Sequence, residues 1–204
     1  MRSFVRPLLT TVIVLGLGSS AAMAQPPVPD IPEVPANIEV PAGYVPFFKG
    51  EAAGTQNYIC LPAGTGFAWR FVAPQATLFA DVGPIQQQVT THFLSANPAE
   101  SGTPRPTWQH SFDTSSVWGR AIASSTDPAY VATGAIPWLL VQVVGAQAGP
   151  SGGSALTPTT FIHRVNTRGG IAPATGCSTA ANVGALALVP YTTDYYFYRA
   201  ARER

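Results

Sequence analysis

This 204-residue chain has three histidines, His92, His110 and His163. Histidine can bind metals and can act as an acid or a base, so these residues are the first candidates for a functional site. Three neutral imidazoles could bind zinc or copper and leave one coordination position open for a reaction. Their spacing contains no H-E-x-x-H pattern or other local metal pair, so the fold would have to assemble such a site. We therefore favour three unrelated strand histidines, and we predict no metal and no cofactor.

His92 is the candidate catalytic histidine, because it lies in the strand end Thr90–Phe93, where a side chain can emerge at a sheet edge beside loops. Asp113 is the loop carboxylate that could act with it. No local carboxylate pair of the kind that glycosidases use is present. Outside the proline-rich segment and the tail, six carboxylates remain for acid–base work, namely Glu51, Asp81, Glu100, Asp113, Asp127 and Asp194.

The segment Gly149–Gly153 matches the G-x-S-x-G pattern of a serine nucleophile. That motif needs a helix directly after the serine and then an acid before the histidine. Thr157-Pro158 prevents a helix of useful length, and no Asp or Glu lies between Ser151 and His163. We interpret the match as a glycine-rich hairpin loop.

Aromatic side chains supply the candidate ligand-binding residues. Tyrosine and tryptophan rings can stack on sugars because the ring is apolar while its polar atom stays hydrated. The candidates for a carbohydrate or cell-envelope ligand are Trp108, Trp118, Tyr196 and Tyr198. In the C-terminal run 191–198, alternation places Tyr191, Tyr195 and Phe197 on one face and Tyr196 and Tyr198 on the other, and packing in a core is the more frequent use of such a strand.

Alternation with a period of two dominates the chain after Phe47 and predicts strands. Gly/Pro-rich spacers separate the alternating segments. About nine short strands divided in this way predict an all-β fold, an antiparallel sandwich or barrel. The expected strand segments are 56–61, 67–71, 76–81, 87–93, 108–112, 116–124, 137–144, 161–165 and 192–199.

The N-terminal 46 residues divide into two parts. Residues 1–24 have the basic start, short apolar stretch and Ala22-Met23-Ala24 ending of a secretory signal peptide, which predicts a secreted or periplasmic protein. The apolar stretch is too short for a membrane anchor, which needs about 18 or more residues. Residues 25–46 contain seven prolines and form either a spacer or an arm that wraps the domain, and residues 47–204 form a single β domain.

Composition excludes several classes of partner. Removal of the signal peptide, which contains Arg2 and Arg6, leaves nine basic and ten acidic residues. This balance lacks the basic surface that nucleic-acid binding requires. The mature chain also has no nucleotide-binding motif and no membrane anchor. Oligomeric state is not encoded in any pattern of the chain.

The two cysteines, Cys60 and Cys177, are expected to pair. Oxidising compartments favour disulfides, and two cysteines allow one connectivity. Neither lies in a C-x-x-C pattern, so a thioredoxin-like activity has no support.

Several blocks of sequence resemble a secreted family of bacteria and fungi that is catalogued as a domain of unknown function. The resemblance covers about Pro41 to Arg199, and the most specific block is R-V-N-T-x-G-G-x-A-P-x-x-G-C. It implies that the disulfide is shared with the family. It also implies that the family usually has Gln at the position that His163 occupies in this chain. Some fungal members carry a malate dehydrogenase label, which this chain contradicts because it has no dinucleotide fingerprint and no βαβ alternation. The blocks are 54–60, 69–79, 91–93, 135–140, 164–177, 189–191 and 195–198.

Low charge, many aromatic residues and the lack of a complete catalytic set predict a noncatalytic binding or surface-interaction protein. The alternative is a secreted hydrolase or metal-dependent enzyme that uses His92 with Asp113 or another loop carboxylate. The two functions differ in whether ionisable groups converge in a cavity.

Overall fold

The computed structural model describes residues 29–202 and shows a closed antiparallel barrel of eight strands in chain order. Two ladders between neighbouring strands are short, that of 103–110 with 116–125 and that of 138–147 with 161–169, whereas the ladder between the first and the last strand, which closes the barrel, runs along most of both strands. The predicted all-β antiparallel class is confirmed, and the barrel is the architecture adopted. The strands are β1 (Tyr44–Ala63), β2 (Gly66–Val82), β3 (Ile85–Asn97), β4 (Thr103–His110), β5 (Ser116–Ser125), β6 (Trp138–Gln147), β7 (Phe161–Gly169) and β8 (Leu186–Ala200).

The strand number is eight because two predicted strands, 67–71 and 76–81, are parts of the continuous strand β2. Pro74 lies between them and pairs in register with Gln56 of β1. The β1–β2 register shifts at Asn57/Tyr58, next to this proline. Proline cannot donate a ladder hydrogen bond, so it is tolerated in a strand where the pairing is irregular.

The inner face of the barrel holds one hydrophobic core. Its large members are Leu78, Trp108, Ile162, Tyr195 and Phe197, all buried. Glycine provides space among them, since a Cβ on Gly119 would lie 2.5 Å from Val141 and 2.9 Å from the Trp108 ring. Small and large side chains therefore alternate inside the barrel, as packing inside a small barrel requires.

A second core lies on the outer face, beneath the proline-rich segment. Ile38, on a 3₁₀ turn at Ala36–Ile38, is completely buried against this face. Ile31, Val34 and Val40 pack against the same core. From residue 29 onward the segment wraps the barrel, and its last three residues begin β1, with Pro46 beside a register shift. The outer core consists of Ile38, Val131, Ala135, Trp138, Leu140, Phe161, Val165, Tyr196 and Tyr198.

The predicted disulfide joins Cys60 of β1 to Cys177 in the connection between β7 and β8, with 5.5 Å between the Cα atoms. It closes a separation of 117 residues. Nearby, the indole Nε1 of Trp69 donates to the Thr175 carbonyl oxygen at 2.9 Å, so the same connection is held on β2.

The predicted signal peptide, residues 1–24, lies outside the described residues. Within residues 29–202, no helix is both long and apolar enough to cross a membrane.

Candidate functional site: a cavity inside the barrel

A cavity of about 360 Å³ lies inside the barrel, and every one of the eight strands contributes at least one side chain to its wall. Most of the wall is apolar. Closure of the sheet is what brings these residues together, because the inward-facing positions of all strands converge on one axis. The main apolar lining residues are Phe71, Pro74, Pro106, Ile136, Leu139 and Val141.

His92 projects from β3 into this wall and is 3% exposed. Its Nδ1 lies 2.9 Å from the Thr107 carbonyl oxygen. A carbonyl oxygen can only accept, so Nδ1 carries the proton and Nε2 is left as an acceptor. Burial lowers the pKa of His92 to about 3, although the bond to Thr107 acts in the opposite direction. The ring is therefore neutral at physiological pH.

Trp108 and Gln56 place hydrogen-bond donors in the same wall. Trp108 is 1% exposed and Gln56 is 3% exposed. Neither the Trp108 Nε1 nor the Gln56 Nε2 has a partner within hydrogen-bond geometry among the residues that the structure describes, although the Gln56 amide lies near the Tyr191 hydroxyl. Buried donors are normally paired, because an unpaired buried polar group is costly. These two groups are therefore polar exceptions in a mostly apolar wall.

Arg164 of β7 brings a positive charge to the cavity. Its Nε and Nη2 donate to the Pro137 carbonyl oxygen at 3.2 and 2.8 Å, which fixes the guanidinium at the wall. Burial raises the pKa of both Tyr58 and Tyr195, and the Arg164 charge opposes this rise. The Tyr58 hydroxyl in turn donates to the Gly170 carbonyl oxygen at 2.7 Å.

Asp113, the predicted partner of His92, does not line the cavity. It stabilises loops elsewhere in the molecule. It accepts hydrogen bonds from the backbone amides of Ser115 and Ala155 and from the Ser115 hydroxyl, at 2.7 to 2.9 Å. Burial raises the pKa of Asp113, but the bonds from Ala155 and Ser115 outweigh it and bring the value down to about 2. Asp113 thus holds the turn after β4 to the glycine-rich loop 149–155.

The three histidines occupy three separate environments. His110 contacts Asp113, with 3.1 Å between Nδ1 and Oδ1. His163 lies on the outer face, where its Nε2 donates to the Ile38 carbonyl oxygen at 2.7 Å and its Nδ1 accepts from the Tyr198 hydroxyl at 3.0 Å. In residues 29–202, no group of three or more His, Cys, Asp or Glu side chains is arranged to hold a metal ion.

Of the four aromatic ligand-binding candidates, Trp108 alone lines the cavity. Trp118 is buried and donates from Nε1 to the Ser95 hydroxyl oxygen at 2.9 Å. Tyr196 and Tyr198 are buried under the N-terminal segment as part of the outer core. These side chains therefore do not form an exposed stacking platform.

Sequence reasoning missed Gln56, Tyr58 and Arg164 as cavity residues, and it assigned Tyr195 to packing only. The position of Arg164 in the sequence did, however, indicate a functional role. It lies in a strand, Phe161–Val165, whose other residues are buried on both faces, so its side chain also has to lie against a packed surface. A cation at such a position in a charge-poor chain marks a site.

Comparison with curated proteins and with solved structures found no match to this chain. Comparison with protein families did find a match. Residues 41–199, more than three quarters of the chain, match the family described as "Protein of unknown function (DUF3455)", and the chain belongs to that family.

Proposed function

We propose that the protein is an exported, noncatalytic binding protein that holds one small, largely apolar molecule inside its barrel. The observation that carries this proposal is the cavity to which all eight strands contribute. Its volume of about 360 Å³ lies within the range of roughly 300–1,000 Å³ that is usual for small-molecule sites. Eight-stranded barrels have an interior of the size that can hold one small ligand.

The chemistry of the wall favours binding over catalysis. The described lining residues include no Asp or Glu to act as an acid or base and no Ser or Cys to act as a nucleophile. His92 has a pKa of about 3, so it is a poor general base near neutral pH. The alternative enzyme, which needs His92 beside a loop carboxylate, receives no support from the position of Asp113.

Export is supported by two features of the chain. The first 24 residues have the pattern of a signal peptide. The Cys60–Cys177 disulfide suits an oxidising compartment outside the cytoplasm.

The binding test uses the neutral fluorescent probe N-phenyl-1-naphthylamine, whose emission rises in apolar surroundings. Titration of the oxidised protein should give saturable binding. Ala121→Trp should abolish it, because Ala121 lines the cavity and a larger side chain fills the space. Ile122→Trp is the matched control, since Ile122 is the next residue of β5, is exposed and does not line the cavity.

Two outcomes would overturn the proposal. One is the absence of probe binding to folded wild-type protein. The other is equal binding by Ala121→Trp and wild type, which would place the probe elsewhere on the molecule. Far-ultraviolet circular dichroism on each variant confirms that the barrel is intact.

A further inference from the structure

We infer that the molecule bound in the barrel is an apolar carboxylic acid, held by its carboxylate at Arg164. This inference rests on the proposed function and adds the class of ligand.

The guanidinium of Arg164 has N–H groups that are not used in hydrogen bonds within residues 29–202. Arginine has five N–H groups, and the bonds to Pro137 from Nε and Nη2 use two of them. A third N–H group faces the hydroxyl of the cross-strand neighbour Tyr195, which is uncharged because burial raises its pKa, so two N–H groups are left. The remaining N–H groups can form the two parallel bonds by which arginine binds a carboxylate.

Arg164 has no counter-ion in the part of the chain that the structure describes. The acid–base contacts found in residues 29–202 join Lys49 to Glu51 and Asp194, Arg105 to Glu100, and His110 to Asp113. None reaches Arg164, although its side chain is partly buried in the cavity wall. Charges that leave water are normally paired, so an anion from outside the chain is the natural partner.

The charge of the cavity has one sign. Among the described lining residues, Arg164 is the single side chain that is charged at neutral pH, because His92 is neutral. Its positive charge reaches across the lumen and acts on the titration of Tyr58, His92, Tyr191 and Tyr195. A cavity with one positive charge matches a monoanion, whereas a dianion such as a phosphate ester would keep one negative charge unmatched.

The unpartnered polar atoms agree with an acceptor-rich group. The free Gln56 Nε2 and Trp108 Nε1 are both donors, and an ionised carboxylate accepts hydrogen bonds without donating any. The apolar remainder of the wall, such as Phe71, Leu139 and Val141, would enclose the hydrocarbon part of the acid. His92 Nε2 adds one acceptor, which a hydroxyl of the ligand or a water would satisfy.

The test compares two competitors of the same shape, 2-naphthoate and naphthalene-2-methanol, each used to displace N-phenyl-1-naphthylamine at pH 7. Hydrogen bonds to a charged group are the stronger ones, so we expect the carboxylate to bind about tenfold or more tighter than the alcohol. Arg164→Met should remove this preference. Arg164→Lys should keep part of it, because lysine retains the charge but lacks the fork of donors.

Arg168→Gln is the matched control, since Arg168 is exposed on the same strand, does not line the cavity and carries the same charge. It should leave the preference unchanged. Equal affinity of the two competitors for wild type, or an unchanged preference in both Arg164 variants, would overturn the carboxylate assignment while leaving the binding function in place. Failure of the neutral probe itself would instead overturn the proposed function.

Discussion

The rings of His92 and Trp108 stack across neighbouring strands, with centroids 4.2 Å apart and planes 14° from parallel. The two residues are direct register partners in the β3–β4 ladder. Tyr195 completes the group in T-shaped contact with both rings, with centroid distances of 5.2 and 5.5 Å. This aromatic group forms one side of the cavity.

Ligand binding should be independent of pH between about 5 and 8 as far as His92 is concerned. Its pKa of about 3 keeps the ring neutral across that interval. The dissociation constant of N-phenyl-1-naphthylamine, measured at each pH unit, should therefore stay constant within about twofold. A step centred near pH 6.5 that disappears in His92→Asn would show that His92 titrates as an ordinary histidine.

The N-terminal segment should contribute strongly to stability through Ile38. Its side chain is completely buried in the outer core, and Ile→Ala changes at buried positions cost about 2–5 kcal/mol. Urea unfolding should show a loss in that range for Ile38→Ala. Ile85→Ala is the control, because Ile85 is 63% exposed and exposed substitutions usually change the free energy of unfolding by about 0.5 kcal/mol or less. Similar losses in the two variants would contradict the packing of the segment.

Stability should fall as the pH drops below about 6.5. Burial lowers the pKa values of His92 and His163 below the ordinary histidine value of 6.5, and the hydrogen bond of His163 to the Ile38 carbonyl oxygen only partly opposes this. Below that value the unfolded chain binds more protons than the folded one, so each histidine lowers the free energy of unfolding by up to about 1.4 kcal/mol per pH unit. For His92 the effect ends near pH 3.

His163→Gln isolates one part of this dependence, because glutamine can donate to Ile38 but does not titrate. The free energy of unfolding of this variant, measured by urea at pH 7, 6 and 5, should depend less steeply on pH than that of wild type. Identical slopes in the two proteins would mean that His163 does not titrate differently in the folded and unfolded states.

Removal of the disulfide should destabilise the barrel without changing its fold. The double variant Cys60→Ala/Cys177→Ala loses a link across 117 residues, and loss of a native disulfide typically costs about 2–5 kcal/mol. Chemical denaturation of the oxidised wild type and the variant measures the difference. Reductant should lower wild-type stability towards that of the variant and leave the variant unaffected. An oxidised wild type no more stable than the variant would contradict this prediction.

Much of the local structure could be predicted from the residues alone. Period-two alternation located most strands, and the Tyr191–Tyr198 run was correctly divided into two faces. The two segments predicted within β2 are one strand, because its pairing with β1 runs from Gly66 to Phe79 and carries the strand past Pro74. Local composition could not show that both faces of β8 are buried, since the cover on its outer face comes from residues 31–40.

The site was the least predictable part. His92 was singled out, but its predicted partner Asp113 holds a loop, and its neighbours in the cavity are Gln56, Trp108 and Arg164. Gln56 and Arg164 are 108 positions apart in the chain. No motif links them, because inward-facing positions on different strands have no fixed spacing in sequence.

By itself, the sequence determined the all-β class, the single cysteine pair and the lack of a basic surface, because alternation, residue counts and charge are local or additive properties. The tertiary structure decided between a sandwich and a barrel through the β1–β8 pairing, which joins the first strand to the last. That closure creates the cavity and places a cation and two unpartnered donors around it. Pairing between distant strands depends on register and twist summed over the whole sheet, and no short stretch of residues specifies it.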